Sequence, residues 1–139
     1  MVKPRVLLVD DEARFRANLE KMLGAQGLAV SARGSGAEAL EALKQEPYDV
    51  IVLDIRMPGM DGLTTLGEIK KINPEVEVII LSGHASMDAA MEINRLGGYD
   101  YLMKPCALEE LLLKIEAAHE KKVERENRKR QAPPPKPEQ

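Results

Sequence analysis

Val50-Ile51-Val52-Leu53-Asp54 decides how the rest of the chain is read. Four apolar residues, three of them β-branched, end in one carboxylate, and Ile55-Arg56-Met57-Pro58-Gly59 follows with the chemistry of a loop. A continuous run of this kind predicts a strand buried on both faces, as in parallel sheets. Its last residue then stands at the carboxyl edge of the sheet, where open α/β sheets place their binding sites.

Working outward, Arg5 to Val9 is a second strand of the same type, ending in Asp10-Asp11. Glu12 to Leu23 carries Phe15, Leu19, Met22 and Leu23 at helical spacing, with Gly24 and Gly27 at its end. Leu28 to Arg33 is a weaker strand. Ser35-Gly36-Ala37-Glu38 has capping-box spacing and opens a helix with Leu40 and Leu43 inward, stopped before Pro47. Beyond the turn-rich segment Met57 to Gly62, Leu63, Leu66, Ile69 and Ile72 predict a helix that ends at Asn73-Pro74. Val76 to Leu81 is the fourth strand, ending in Ser82-Gly83-His84. Ser86 caps a helix to Arg95, with Ala90 and Ile93 inward and Gly97-Gly98 as its stop. Tyr99 to Met103 is a short fifth strand before Lys104-Pro105, and Leu108, Leu111, Leu112 and Ile115 line the last helix. Five strands alternating with five helices predict an α/β fold with a parallel sheet and right-handed crossovers, a (βα)5 three-layer sandwich. The order 2-1-3-4-5 of the flavodoxin-like fold is a common solution for five strands.

Residues 1–119 read as the folded domain, 120–130 as a charged continuation of the last helix, and 131–139 as a Pro-rich tail or linker. Glu124/Arg128 and Glu126/Arg130 are i,i+4 pairs in the favourable order, so the continuation is expected to be solvent-exposed. The net charge of −3 conceals an asymmetry: residues 120–139 carry seven Lys/Arg against four Glu, a net of +3, which leaves −6 on the body. An acidic body argues against a nucleic-acid surface there. Aromatic content is 3%, too low to build stacking platforms for single strands. A single cysteine, Cys106, excludes an intramolecular disulfide and a Cys-rich zinc site. No apolar run approaches the ~20 residues of a membrane span, and the N-terminus runs straight into a strand, so the expected location is the cytoplasm.

The strand ends are where chemistry gathers. Asp10-Asp11, Asp54, Ser82 and Lys104 follow four different strands, and in a parallel sheet those ends lie along one edge. Taken singly, each has an ordinary reading: a helix cap for Asp10 or Asp11, a turn for Ser82, a solvated cation for Lys104. Together they pose an electrostatic problem. Three carboxylates within a few ångströms repel strongly, and one lysine cannot neutralise them. A divalent cation can, and all-oxygen ligands suit magnesium or manganese. A carboxylate beside a metal, a lysine and a hydroxyl is the equipment for phosphoryl transfer, with the carboxylate as nucleophile.

Over roughly residues 5 to 118 the chain resembles the receiver domain of bacterial two-component response regulators (CheY-like). The resemblance is carried by Val9-Asp10-Asp11-Glu12, by Leu53-Asp54-Ile55-Arg56-Met57-Pro58-Gly59-Met60-Asp61-Gly62, by Leu81-Ser82-Gly83-His84 and by Asp100-Tyr101-Leu102-Met103-Lys104-Pro105. It implies that Asp54 takes a phosphoryl group from a phosphohistidine on a sensor histidine kinase or phosphotransfer protein. It further implies magnesium held by Asp11 and Asp54, with Asp10 through water and Arg56 through its backbone carbonyl. Ser82 and Lys104 would contact the phosphoryl oxygens, the Lys104-Pro105 bond would be cis, and Tyr101 would rotate to report phosphorylation. The listening face would be the fourth helix, fifth strand and fifth helix. Arg56 and His84 would tune the phosphoryl lifetime. Ser82 where many members carry Thr, and Cys106 where many carry Phe, are departures that touch packing rather than chemistry.

Two other functions compete. A phosphatase of the haloacid-dehalogenase type would also use a nucleophilic Asp with magnesium, but needs a second Asp two residues later, where this chain has Arg56. A flavin carrier would want a Ser/Thr/Gly-rich loop after the first strand, and Asp10-Asp11-Glu12 is its opposite. The tail reads both as a natural terminus and as an interdomain linker, with a slight lean to a stand-alone protein. A homodimer through the fourth or fifth helix is compatible with either.

Overall fold

Two-residue alternation divides each central strand between two cores. In the computed structural model, which describes residues 3–56, 61–83 and 87–131, the strands are β1 (Arg5–Val9), β2 (Ala29–Arg33), β3 (Val50–Leu53), β4 (Glu77–Ser82) and β5 (Asp100–Met103). Leu7, Val9, Ile51, Leu53, Val78 and Ile80 belong to one buried cluster, and Val6, Leu8, Val50, Val52, Ile79 and Leu81 to the other. Successive strand side chains point to opposite faces, so a strand without a polar position must be covered on both. Each such residue contributes about 1.5–3 kcal/mol on burial. The edge strands β2 and β5 are only half-buried, matching their weaker patterns.

The helices supply that cover. The first cluster is closed by α2 (Gly36–Gln45), α3 (Gly62–Ile72) and α4 (Met87–Arg95), the second by α1 (Ala13–Ala25) and α5 (Leu108–Gln131). The sheet is parallel throughout, in the expected order β2-β1-β3-β4-β5. The chain therefore reverses its direction of travel between β1 and β3, and a crevice opens at their neighbouring carboxyl ends.

Local chemistry sets the helix ends. Ser35 Oγ accepts from the Glu38 N–H at 3.2 Å, while Glu38 Oε2 reaches back to the Gly34 N–H at 2.8 Å. Asp61 caps α3 by accepting from the Thr64 N–H at 2.7 Å. After α4 the chain turns through Gly97 at φ +90°, a conformation that costs a side-chain-bearing residue. The expected cap Ser86 and the loop 57–60 lie outside the described residues.

Some inward assignments need correction. On α1 the buried stripe is Leu19 and Leu23 with Phe15 packed beside them, and Met22 is 44% exposed. On α4, Ala89 rather than Ala90 packs with Ile93. Ile72, the last residue of α3, is 40% exposed, and Thr65 is buried instead, its hydroxyl donating to the Asp61 carbonyl at 2.8 Å.

The largest departure is at the end of α5. The helix continues through Gln131, but its charged turns are tied down. Lys122 Nζ lies 3.1 Å from Asp49 Oδ1, Arg125 Nη2 lies 2.6 Å from Glu77 Oε1 and donates to the Glu75 carbonyl at 2.9 Å, and Lys129 pairs with Glu75. Glu126 pairs with Lys122 at 2.6 Å, and among the described residues neither expected i,i+4 pair forms. Glu77, 2% exposed at the start of β4, is the reason: a buried carboxylate demands a cation, and α5 passes within reach.

Candidate functional site

The carboxyl edge of the sheet carries the site. Backbone pairing extends one residue past the strands: the Asp54 N–H donates to the Val9 carbonyl at 3.0 Å, and the Asp10 N–H to the Arg33 carbonyl at 3.1 Å. Both aspartates are thereby registered against neighbouring strands. Asp10 and Asp54 are 2% and 5% exposed respectively, while Asp11 is exposed. One carboxylate oxygen from each of Asp10, Asp11 and Asp54 lies within 4.8 Å of the others. Such a set of hard oxygen donors fits a magnesium-like cation and not a soft metal.

Lys104 closes the cleft. It follows β5, its N–H donates to the Ser82 carbonyl at 2.9 Å, and its peptide bond to Pro105 is cis. Its Nζ lies 2.6 Å from Asp10 Oδ2, 3.4 Å from Asp54 Oδ2 and 3.8 Å from Glu12 Oε1. Burial alone would lower the Lys104 pKa, but hydrogen bonding to Asp10 and the charges of Asp10, Asp54 and Glu12 hold it above the ordinary value. Burial pushes the Asp10 carboxyl up, against the hydrogen bonds from Lys104 and the Glu12 N–H, and the charge of Asp54 adds to the rise.

The second oxygen of each buried aspartate is held by backbone. Asp10 Oδ1 accepts from the Glu12 N–H at 2.9 Å, and Asp54 Oδ1 from the Arg56 N–H at 3.0 Å. Asp54 Oδ2 is thus aimed at the cation, in a cleft of about 340 Å3 also lined by Asp11, Glu12, Arg56, Ser82, Gly83 and Lys104. Ser82 is fully buried at the end of β4. Tyr101 is half-buried on β5 and packs on the cluster under α4; burial, and then the charge of Asp54, push its hydroxyl pKa up.

The family model of the response regulator receiver domain matches residues 6–116. This chain belongs to that family. The receiver is 43% identical over 113 residues to the DNA-binding transcriptional regulator NtrC of Escherichia coli strain K12; the match covers 81% of this chain but 24% of that protein. It is thus similar to about a quarter of a longer regulator. Among solved structures it resembles a CheY-like receiver domain protein from Methanospirillum hungatei, at TM-score 0.86 and 26% identity, over 89% of this chain and 99% of the other. It also resembles the beryllofluoride-activated NtrC4 receiver domain dimer, at TM-score 0.80 and 36% identity, over 85% and 98%.

Of the site residues read from sequence, the receiver's fold brings Asp10, Asp11, Asp54, Arg56, Ser82 and Lys104 around one cleft. His84 lies outside the described residues. Sequence reasoning missed four contributors. Glu12 adds a further carboxylate near Lys104. Arg16 Nη1 donates to the Asp10 carbonyl at 2.7 Å. Phe15 places its ring 4.1 Å from Lys104 Nζ. Gly62 starts α3 against the backbone of the Asp54 segment, where a Cβ would stand 2.1 Å from Ile55 Cα and 2.6 Å from the Asp54 carbonyl oxygen. In sequence the Asp-Gly pair at 61–62 marked only a turn-rich segment, and nothing local marked that approach.

Proposed function

We propose that this receiver is a phosphorylation-controlled signalling module in which Asp54 is the acceptor. The observation that carries the reading is the pairing of roles at Asp54: one oxygen accepts from the Arg56 N–H, the other faces the Lys104 ammonium at 3.4 Å. An Asp54 oxygen attacks the phosphorus of a phosphohistidine on a sensor kinase or phosphotransfer protein. The new O–P bond forms as the P–N bond breaks, and the imidazole leaves with the electron pair and takes up a proton. Lys104 and the Ser82 hydroxyl hold the phosphoryl oxygens. Magnesium held by Asp10, Asp11, Asp54 and the Arg56 carbonyl would supply positive charge against those oxygens. Arg56 and His84 set how long the phosphoryl group survives.

The acyl phosphate raises the local charge from −1 to about −2 and adds acceptors. Ser82 and Lys104 are drawn toward it, and Tyr101 follows, so that the face of α4, β5 and α5 changes for a downstream partner. Met87, Met91, Met103 and Leu113, exposed on those three elements, support that face as a contact surface. The NtrC4 receiver, which this chain resembles, is a dimer in its beryllofluoride-activated form, and that supports a second copy as one such partner. Sedimentation with and without beryllofluoride tests it, and identical values reject it. The likeness to NtrC supports a cytoplasmic location; among the described residues no helix is long and apolar enough to cross a membrane.

The primary test is mass spectrometry after incubation with magnesium and a small acyl phosphate. The wild type should gain one phosphoryl group and Asp54→Asn none; no gain in the wild type rejects the reading. A phosphatase would need a second carboxylate where Arg56 stands, so multiple-turnover hydrolysis of a model ester is not expected.

A further inference from the structure

Lys104 meets an aromatic ring as well as carboxylates. Besides the carboxylates of Asp10, Asp54 and Glu12, its Nζ stands 4.1 Å from the centroid of the Phe15 ring. Phe15 is the chain's one phenylalanine and lies four residues after Asp11 on α1. Away from the ammonium it borders a mainly apolar cavity of about 180 Å3 together with Leu19, Leu81, Leu108 and Leu111, with Asn18 as its one polar side chain. The ring is therefore the wall between the aliphatic core and the ammonium.

We propose that Phe15 is a positioning residue for the chemistry at Asp54, its ring face holding the Lys104 ammonium where it can meet a phosphoryl oxygen. The proposal rests on Asp54 being the phosphoryl acceptor. A lysine carries a compact charge on a flexible four-carbon stem, so something must restrict where that charge sits. Carboxylates alone draw it to the closest of them, Asp10 at 2.6 Å. The ring attracts the cation through its quadrupole and asks for no particular N–H, so the three donors stay available to oxygens. The Lys104 side chain is 14% exposed, and desolvation strengthens the attraction. Transfer rates fall steeply when a charge-holding group is misplaced by even an ångström.

The test is a rate measurement on the full chain with magnesium and acetyl phosphate, read by mass, for wild type, F15L, F15Y, K104M and F15L/K104M. F15L should slow phosphorylation about fivefold, and F15Y, which keeps the ring, should stay within about twofold of wild type. In the K104M background F15L should cause no further slowing, because the ring then has no ammonium to hold. A role in packing alone would persist there, so equal slowing in both backgrounds overturns the proposal, as does a wild-type rate for F15L. Should F15L not fold, F15M carries the same comparison. If the wild type gains no phosphoryl group on Asp54, the acceptor reading falls and this proposal with it. If the wild type is phosphorylated and the F15L rate is unchanged, the positioning role alone is rejected.

Discussion

Lys104 and Asp10, 94 positions apart in sequence, form the shortest ion pair of the cleft at 2.6 Å, 0.8 Å closer than Lys104 stands to Asp54. The cation thus rests on the carboxylate that is 2% exposed, and Asp54 shares it. Removing the cation leaves two nearly buried carboxylates facing each other. Lys104→Met should lower metal-free stability by about 2 kcal/mol and slow phosphorylation. Asp54→Asn should act in the opposite direction on stability, raising it by about 1 kcal/mol, because it removes one of two like charges. Urea unfolding in the presence of a chelator separates them; destabilisation by both would contradict this account.

Gly62 fixes the height of Asp54 above the sheet. Gly62→Ala puts a methyl into the backbone of Asp54 and Ile55, and neither can retreat without breaking the pairing to Val9. A loss of about 3 kcal/mol is expected, together with slower phosphorylation. Gly67→Ala, whose new Cβ would meet only a Leu96 methyl at 3.8 Å, is the control and should be close to neutral in both assays.

The buried Glu77 makes the last turns of α5 part of the folding unit. Arg125→Met removes the cation 2.6 Å from Glu77 and should cost about 2–3 kcal/mol. Adding Glu77→Met should restore most of it, since an apolar pair has no desolvation cost to offset. A double variant as unstable as the single would show that Arg125 acts through the Glu75 carbonyl instead.

Glu75 gives the pH signature of the same contact. Its hydrogen bond to Lys129, opposed by burial and joined by the charges of Lys129 and Arg125, holds its pKa below the ordinary 4.5. A depressed carboxyl contributes stability that is fully present above 4.5 and lost as pH falls through the folded-state value. Glu75→Gln should therefore lower the thermal midpoint at pH 7, and the gap to wild type should close in strong acid. A gap that is constant with pH would assign the loss to packing.

The strands were legible because each central one is apolar at every position, and a run such as Val50 to Leu53 has only one way to satisfy both faces. The cleft's membership was legible for a related reason: in a parallel sheet, whatever follows a strand lies on one edge, so Asp10, Asp54, Ser82 and Lys104 converge without further information. The amphipathic helices were legible as helices and less well as faces, since Met22, Ile72 and Ala90 fit the period but fall outside the strip that the sheet covers.

What tertiary structure alone decided are relations between atoms far apart in sequence. Lys104 rests on Asp10, Phe15 turns its ring to Lys104, Gly62 meets the Asp54 backbone, and Arg125 answers Glu77. Patterns of polarity say which side of an element is buried. They do not say which buried charge lies within 3 Å of which cation, because that depends on crossing positions of packed elements and not on spacing along any one of them. The sequence therefore determined the sheet, its chemical edge and the family, and packing determined how the charges on both edges are shared.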